Sequence, residues 1–280
     1  MHEVFAVRYG TLATTRGREF HSRAYGDRAD EPLEMAYYFW VVMSPSEVVL
    51  IDTGFAPAVG TARGRTLVAD PVESLGALGI SPNDVDKVLV THFHYDHVGN
   101  LARFPRARFF CSRDEYRFWS SALARRPVHR AAVEDSELAY LEDLRAEGRL
   151  LLLDRDMPLA QGMQPVWLPG HTAGQLGVVL ETAGSRVLVA SDAVHFYDEF
   201  EGDEVFRIFD DLNAFLTSVD RIRTFEALDL VVVPGHDPRV AERAGRPAHP
   251  DAPQIIRLGQ PEAADPTTAS ELSEDHRTSC

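Results

Sequence analysis

Thiols and lysines are nearly missing from this chain. Of its 280 residues only two are cysteine, Cys111 and Cys280, and Cys280 is the last residue. A disulfide framework is therefore not expected, and such sparse cysteine fits a reducing compartment. Lys87 is the single lysine among 28 basic residues, which argues against a lysine Schiff-base mechanism. No stretch approaches the roughly 18 uninterrupted apolar residues that a membrane span requires. The run Met1-His2-Glu3-Val4-Phe5-Ala6-Val7-Arg8 has no basic segment leading into an apolar one, so no secretory signal is expected. Positive charge is scarce as well. The 43 acidic residues leave a net charge of −15, the wrong sign for gripping phosphates. These absences point to a cytoplasmic protein with no nucleic-acid and no membrane partner. A small molecule is the expected partner, and a homodimer is an assembly the reading allows.

What the chain does hold is concentrated in Thr91-His92-Phe93-His94-Tyr95-Asp96-His97, with three histidines and an aspartate within six positions. Alternation along an extended backbone puts His92 and His94 on one side, so both imidazoles can reach one ion. Asp96 and His97 follow where a turn or helix start can aim them at a second. Imidazole and carboxylate without thiolate suit Zn²⁺ or a similar borderline metal. The preceding run Val85-Asp86-Lys87-Val88-Leu89-Val90 is short and apolar, as a buried strand should be. A histidine-rich surface loop would not need such a strand beneath it.

Along the chain, Val4 to Tyr9 reads as a first strand and residues 13–34 as a polar loop, a lid or a surface insertion. Tyr37 to Met43, a turn at Ser44-Pro45-Ser46, and Val48 to Ile51 predict a hairpin ending in Asp52-Thr53-Gly54. Pro71 to Leu78 predicts a helix stopped at Gly79, residues 107–111 a strand, and Arg113–Leu123 and Leu138–Leu144 helices. Further strands are expected at 149–153, 164–168, 176–180, 186–190 and 230–233, with an amphipathic helix over 212–228. Strand hairpins first and helices between later strands argue for two packed sheets with helices outside. Residues 1–258 read as a single domain, and 259–280, rich in Pro, Glu, Ala, Thr and Ser, as a disordered tail.

Four apolar runs now end in metal-capable residues: the motif itself, His171, Asp192 and His236. His92, His94 and His171 make one ligand set, Asp96, His97 and His236 a second, and Asp192 is able to bridge both. Three side chains per ion leave room for water, the mark of a catalytic site. These residues, with Asp52-Thr53-Gly54, Gly170-His171-Thr172, Ser191-Asp192 and Gly235-His236, resemble the metallo-β-lactamase superfamily over about residues 37–237. The resemblance implies an α/β fold, the four-layer αββα sandwich, with two Zn²⁺ per chain (other divalent transition metals being alternatives) and no organic cofactor. It also implies that Asp52 supports the ligands from behind.

Within that superfamily the layout is most similar to the N-acyl homoserine lactonases and pyridoxolactonases. Close lactonases carry a tyrosine three residues after the bridging aspartate, where this chain has His195, with Tyr197 two further on. A hydroxide held between two zinc ions is a nucleophile at neutral pH, because the metals lower the pKa of water from about 15.7 towards about 7. The expected reaction is lactone ring opening, with the ion of His92, His94 and His171 polarising the carbonyl. The other ion stabilises the departing alkoxide, Asp96 shuttles the proton, and His195 or Tyr197 donates to the carbonyl oxygen. Alternatives on the same centre are another ester or thioester hydrolase such as glyoxalase II, a nuclease of the RNase Z type, and an iron redox protein of the flavodiiron kind. The acidic balance opposes the nuclease. The flavodiiron pattern replaces one histidine by a carboxylate, and a true β-lactamase generally has cysteine where Asp192 stands. His2, His21, His129, His249 and His276 read as loop histidines without a role. Arg125, Arg126 and Arg130 read as a solvated loop, and Cys111 as core.

Overall fold

β2 shows why the chain makes two cores. Its residues Tyr37-Tyr38-Phe39-Trp40-Val41-Val42 are apolar at every position and buried, which a strand needs only when both of its faces are covered. Successive side chains point to opposite faces. Ala36, Tyr38, Trp40 and Val42 join one cluster, which reaches the second sheet. Met35, Tyr37, Phe39 and Val41 join another beneath the outer helices. The computed structural model describes residues 1–21, 28–155 and 157–259.

Among these residues there are thirteen strands: β1 (Glu3–Thr15), β2 (Pro32–Met43), β3 (Val48–Ile51), β4 (Thr66–Leu67), β5 (Lys87–Leu89), β6 (Arg108–Ser112), β7 (Leu150–Leu153), β8 (Met163–Trp167), β9 (Leu176–Glu181), β10 (Arg186–Ser191), β11 (Leu230–Pro234), β12 (Gly245–His249) and β13 (Ala252–Leu258). The first sheet runs β12-β13-β1-β2-β3-β5-β6-β7, with β4 beside β1, and the second runs β11-β10-β9-β8. Helix Asp135–Ala146 buries Leu141 and Leu144 against the first sheet. Helix Leu212–Ala227 buries Phe215, Val219 and Ile222 against the second, each such side chain contributing roughly 1.5–3 kcal/mol. The result is the four-layer αββα sandwich expected from the sequence.

Two parts of the strand reading need correction. β1 continues past Tyr9 to Thr15, with Thr11 opposite Ala36 and Thr14 opposite Leu33. The polar look of Thr11, Thr14 and Thr15 hides β-branched residues that suit an edge ladder. Arg16–Glu19 then makes one helical turn, so the expected loop 13–34 shrinks to its middle. Residues 22–27 of that loop, and 260–280 of the expected tail, lie outside the described residues. The hairpin is as expected, its turn closed by Ser44, whose N–H donates to the Glu47 carbonyl at 3.0 Å.

Topology gathers the site. β3 and β5 are parallel, as are β10 and β11. β8 and β10 both run antiparallel to β9 between them. The C-terminal ends of each set therefore open on one edge of the sandwich. Asp52 and Ser191, at the ends of β3 and β10, take left-handed φ of 63° and 49°. Such backbone costs about 1–3 kcal/mol each and persists only where the surroundings impose it. Here it turns the chain so that Asp52 and Asp192 enter that edge.

Candidate metal centre

Four of the five histidines in the two groups are held from behind. Asp52 is fully buried, and its Oδ1 accepts the Thr91 N–H at 2.8 Å. Its Oδ2 accepts the Thr91 hydroxyl at 2.8 Å and His97 Nδ1 at 2.7 Å. Because that hydroxyl proton is spent on Asp52, the Thr91 oxygen accepts from His92 Nδ1 at 3.1 Å. His171 Nδ1 donates to the Ile208 carbonyl at 2.9 Å and His236 Nδ1 to the Ala36 carbonyl at 2.9 Å. All four rings are thereby fixed with Nδ1 protonated and the Nε2 lone pair aimed inward, the arrangement in which imidazole binds a metal.

The inward atoms converge in two groups. One group holds His92, His94 and His171, and a second holds Asp96, His97, Asp192 and His236, the ligand atoms of each lying within 4.8 Å of one another. His94 Nδ1 is 2.9 Å from His171 Nε2. Asp192 Oδ2 lies 3.1 Å from His236 Nε2 and 3.6 Å from His171 Nε2, while its Oδ1 is 3.5 Å from His97 Nε2. Asp192 thus stands between the groups. Burial holds His92 and His171 well below the ordinary imidazole range and takes His94 to about 4, leaving the three neutral as ligands must be. Burial opposes charge on His97, but Asp192, Asp52 and Asp96 outweigh it and raise its pKa well above the usual value. The same burial would raise Asp192, yet His236, His97 and His195 hold it far below the carboxylate range. His92 Nε2, His97 Nε2, His195 Nε2 and Asp192 Oδ1 are buried atoms with no hydrogen-bond partner. Buried polar atoms are rarely left so, and a donor set of this chemistry fits divalent cations.

His195 enters the same centre. Its Nε2 is 3.4 Å from Asp192 Oδ2 and its Nδ1 3.4 Å from Glu199 Oε1, and it forms a third close group with His171 and Asp192. Its ring lies flat on Phe206, centroids 3.6 Å apart. Against the cost of burial, Glu199 and Asp192 raise its pKa to about 9. Tyr197 does not reach the centre, which corrects the expectation placed on it. Its hydroxyl donates to the Val232 carbonyl at 3.3 Å, and the Arg243 guanidinium covers its ring at 3.9 Å. The helical turn Tyr197–Gly202 points this side chain back at β11.

Other walls were not legible from the motifs. The pocket above the ligands is also lined by Glu19, Tyr37, Arg65, Tyr95 and Phe206. It shares His94, Ala132, His171 and Ile208 with a cleft of about 430 Å³ walled by Phe118, Trp119, Val128 and Phe209. His129, read as a loop histidine, lines that cleft 3.8 Å from Asp210. Glu115 lies behind the ligands with four donors on its carboxylate. Its position in an ordinary helical segment gave no signal. Tyr95 sits inside the motif, where the histidines drew attention away from it. Cys111 is buried in the outer core, as expected.

Comparison with known proteins agrees with this geometry. The family model described as the metallo-beta-lactamase superfamily matches residues 33–236. The N-acyl homoserine lactonase AttM of Rhizobium radiobacter is 28% identical over 246 residues, covering 76% of this chain and 85% of that protein. An N-acyl homoserine lactonase of a Bacillus species is 25% identical over 223 residues, covering 74% and 83%. Among solved structures, AidC, described as a dizinc quorum-quenching lactonase, superposes with a TM-score of 0.71 at 22% identity, covering 93% of this chain and 95% of that one. No helix among the described residues is long and apolar enough to cross a membrane.

Proposed function

The chain belongs to the metallo-beta-lactamase superfamily, and from that membership we propose that it is a dinuclear zinc hydrolase opening the ring of an N-acyl homoserine lactone. One observation carries the reading: two ligand groups share Asp192 at the floor of a pocket that opens into an aromatic cleft. His92, His94 and His171 would hold one ion and Asp96, His97 and His236 the other, with Asp192 between them. When bound, two such ions supply Lewis acidity and an activated water.

The protein's own part is orientation. Asp52 and Thr91 fix the rings of His97 and His92 before any substrate arrives, so no reorganisation is needed during reaction. His195 turns Nδ1 toward Glu199 and Nε2 toward the centre. It thereby takes the place of a tyrosine donor to the lactone carbonyl oxygen. Asp96, 7% exposed on the pocket wall, is the group to carry a proton to the leaving oxygen. Phe118, Trp119, Val128 and Phe209 offer apolar surface to an acyl chain.

The test is a panel of acyl homoserine lactones scored by proton release on zinc-loaded protein, with thioesters and a cephalosporin alongside. Lactone turnover is expected. Thioester hydrolysis without lactone turnover would replace the reading by a glyoxalase II-like one. Tyr197→Phe separates the two candidate donors. Because Tyr197 serves only the core, its kcat/KM should stay within about twofold of wild type, with a loss of stability of at most about 1 kcal/mol by thermal melt. A hundredfold loss of turnover would return Tyr197 to the site.

A further inference from the structure

Tyr95 is held as a hydrogen-bond donor would be, yet the ligand set makes no use of it. It stands between His94 and Asp96 and lines the pocket together with Asp96, Asp192 and His236. Arg65 Nε donates to its hydroxyl oxygen at 2.9 Å. A guanidinium can only donate, so in that bond the Tyr95 oxygen is the acceptor. Tyr37 lines the same pocket beside it. With the oxygen accepting from Arg65, the phenol's own proton is left to serve another acceptor.

The ring cannot turn away. It stacks on Phe55 with centroids 6.3 Å apart and planes 19° apart, and the Arg63 guanidinium covers it at 4.2 Å. Arg63 is itself tied to Glu134 at 2.6 Å, and Arg65 to the Arg63 carbonyl at 2.8 Å. Only 6% of Tyr95 is exposed. A donor fixed in this way spends nothing on reorganisation when negative charge develops in front of it. His195 lines the same pocket, packed against Phe206 and Glu199.

We propose that Tyr95, presented by Arg65, is a catalytic residue that hydrogen-bonds the departing ring oxygen on the Asp96–His236 side of the centre. The proposal rests on the lactone-hydrolase reading. The proton stays on Tyr95; the hydrogen bond strengthens as the C–O bond breaks and charge gathers on that oxygen.

The experiment compares wild type, Tyr95→Phe and Arg65→Met, all zinc-loaded, on hexanoyl homoserine lactone and on 4-nitrophenyl hexanoate. Both are hydrolysed at an ester carbonyl, but the ring alkoxide leaving from the lactone needs far more help than the nitrophenolate leaving from the aryl ester. Tyr95→Phe should lower kcat on the lactone roughly a hundredfold, as removal of one preorganised donor does, and on the aryl ester by less than about fivefold. Arg65→Met should show the same selectivity with a smaller loss, of about tenfold. Metal content by mass spectrometry should match wild type in both variants. Equal losses on the two substrates, or loss of metal in Tyr95→Phe, would overturn this role alone. A wild type that opens no lactone would overturn the substrate reading, and this role with it.

Discussion

Asp192→Ala should fold, bind fewer than two ions per chain and lose at least about a thousandfold in lactone kcat/KM, since both ions and the groups they orient depend on it. The expectation follows from the position of one carboxylate. Oδ2 faces His236, His195, His171 and His92 at 3.1, 3.4, 3.6 and 3.8 Å, and Oδ1 faces His97 at 3.5 Å. Among the described residues, no other anion touches both ligand groups. With alanine there, five imidazoles lose the charge they share, and a second divalent ion would have to sit beside the first without a bridging anion. Metal analysis after dialysis is the direct check, with circular dichroism to confirm the fold. Two ions per chain and retained turnover would remove Asp192 from the bridging role and leave the two ligand groups independent.

Much of this centre could be read before any coordinates because its ligands obey a local rule. Each follows a short apolar strand, and parallel strands deliver their C-terminal ends to one edge. His92, His94, His171, Asp192 and His236 are legible for that reason, and Asp52 by the same pattern. The rest depends on contacts that no local pattern carries. Tyr197 is two residues from His195, yet a single helical turn sends the two side chains to opposite sides, one to the pocket and one to β11. His129 becomes a wall of the cleft only because the Ile208–Asp210 segment packs opposite it. β1 runs past its predicted end because threonines read as loop when counted as polar and as strand when counted as β-branched. Sequence spacing shows which residues can bind a metal. What it does not show is which residues hold the binders still.

Glu115 is the clearest of those holders, and its replacement carries the second large expected effect. It is fully buried with no cation beside it, and four donors take the place of one. Oε1 accepts the Phe93 N–H at 3.0 Å and Trp119 Nε1 at 2.7 Å; Oε2 accepts the Thr172 hydroxyl at 2.8 Å and the Gly174 N–H at 2.9 Å. Phe93 lies between His92 and His94, and Thr172 follows His171, so one carboxylate clamps both loops of the three-histidine group. Ser112 reinforces the clamp, accepting the Glu115 N–H at 3.0 Å and donating to the Gly174 carbonyl at 2.7 Å. The approach is so close that a Cβ on Gly174 would fall 2.1 Å from the Glu115 nitrogen. In Glu115→Gln the amide NH₂ must face two of the four donors, whichever way it turns. Facing Phe93 and Trp119 it leaves two buried donors unpaired; facing Thr172, whose hydroxyl can turn to accept, and Gly174 it leaves at least one, at about 1–3 kcal/mol each. The urea midpoint should drop accordingly. Affinity for the ion of His92, His94 and His171 should fall about 10- to 100-fold, the usual effect of losing a group behind the ligands. The ion of Asp96, His97 and His236 should be retained, because Asp52 and Ala36 hold that side. Stepwise metal titration of the apoprotein resolves the two. Equal weakening of both ions would mean that Glu115 supports the fold in general, and wild-type affinity for both would mean that the loops keep their places without it.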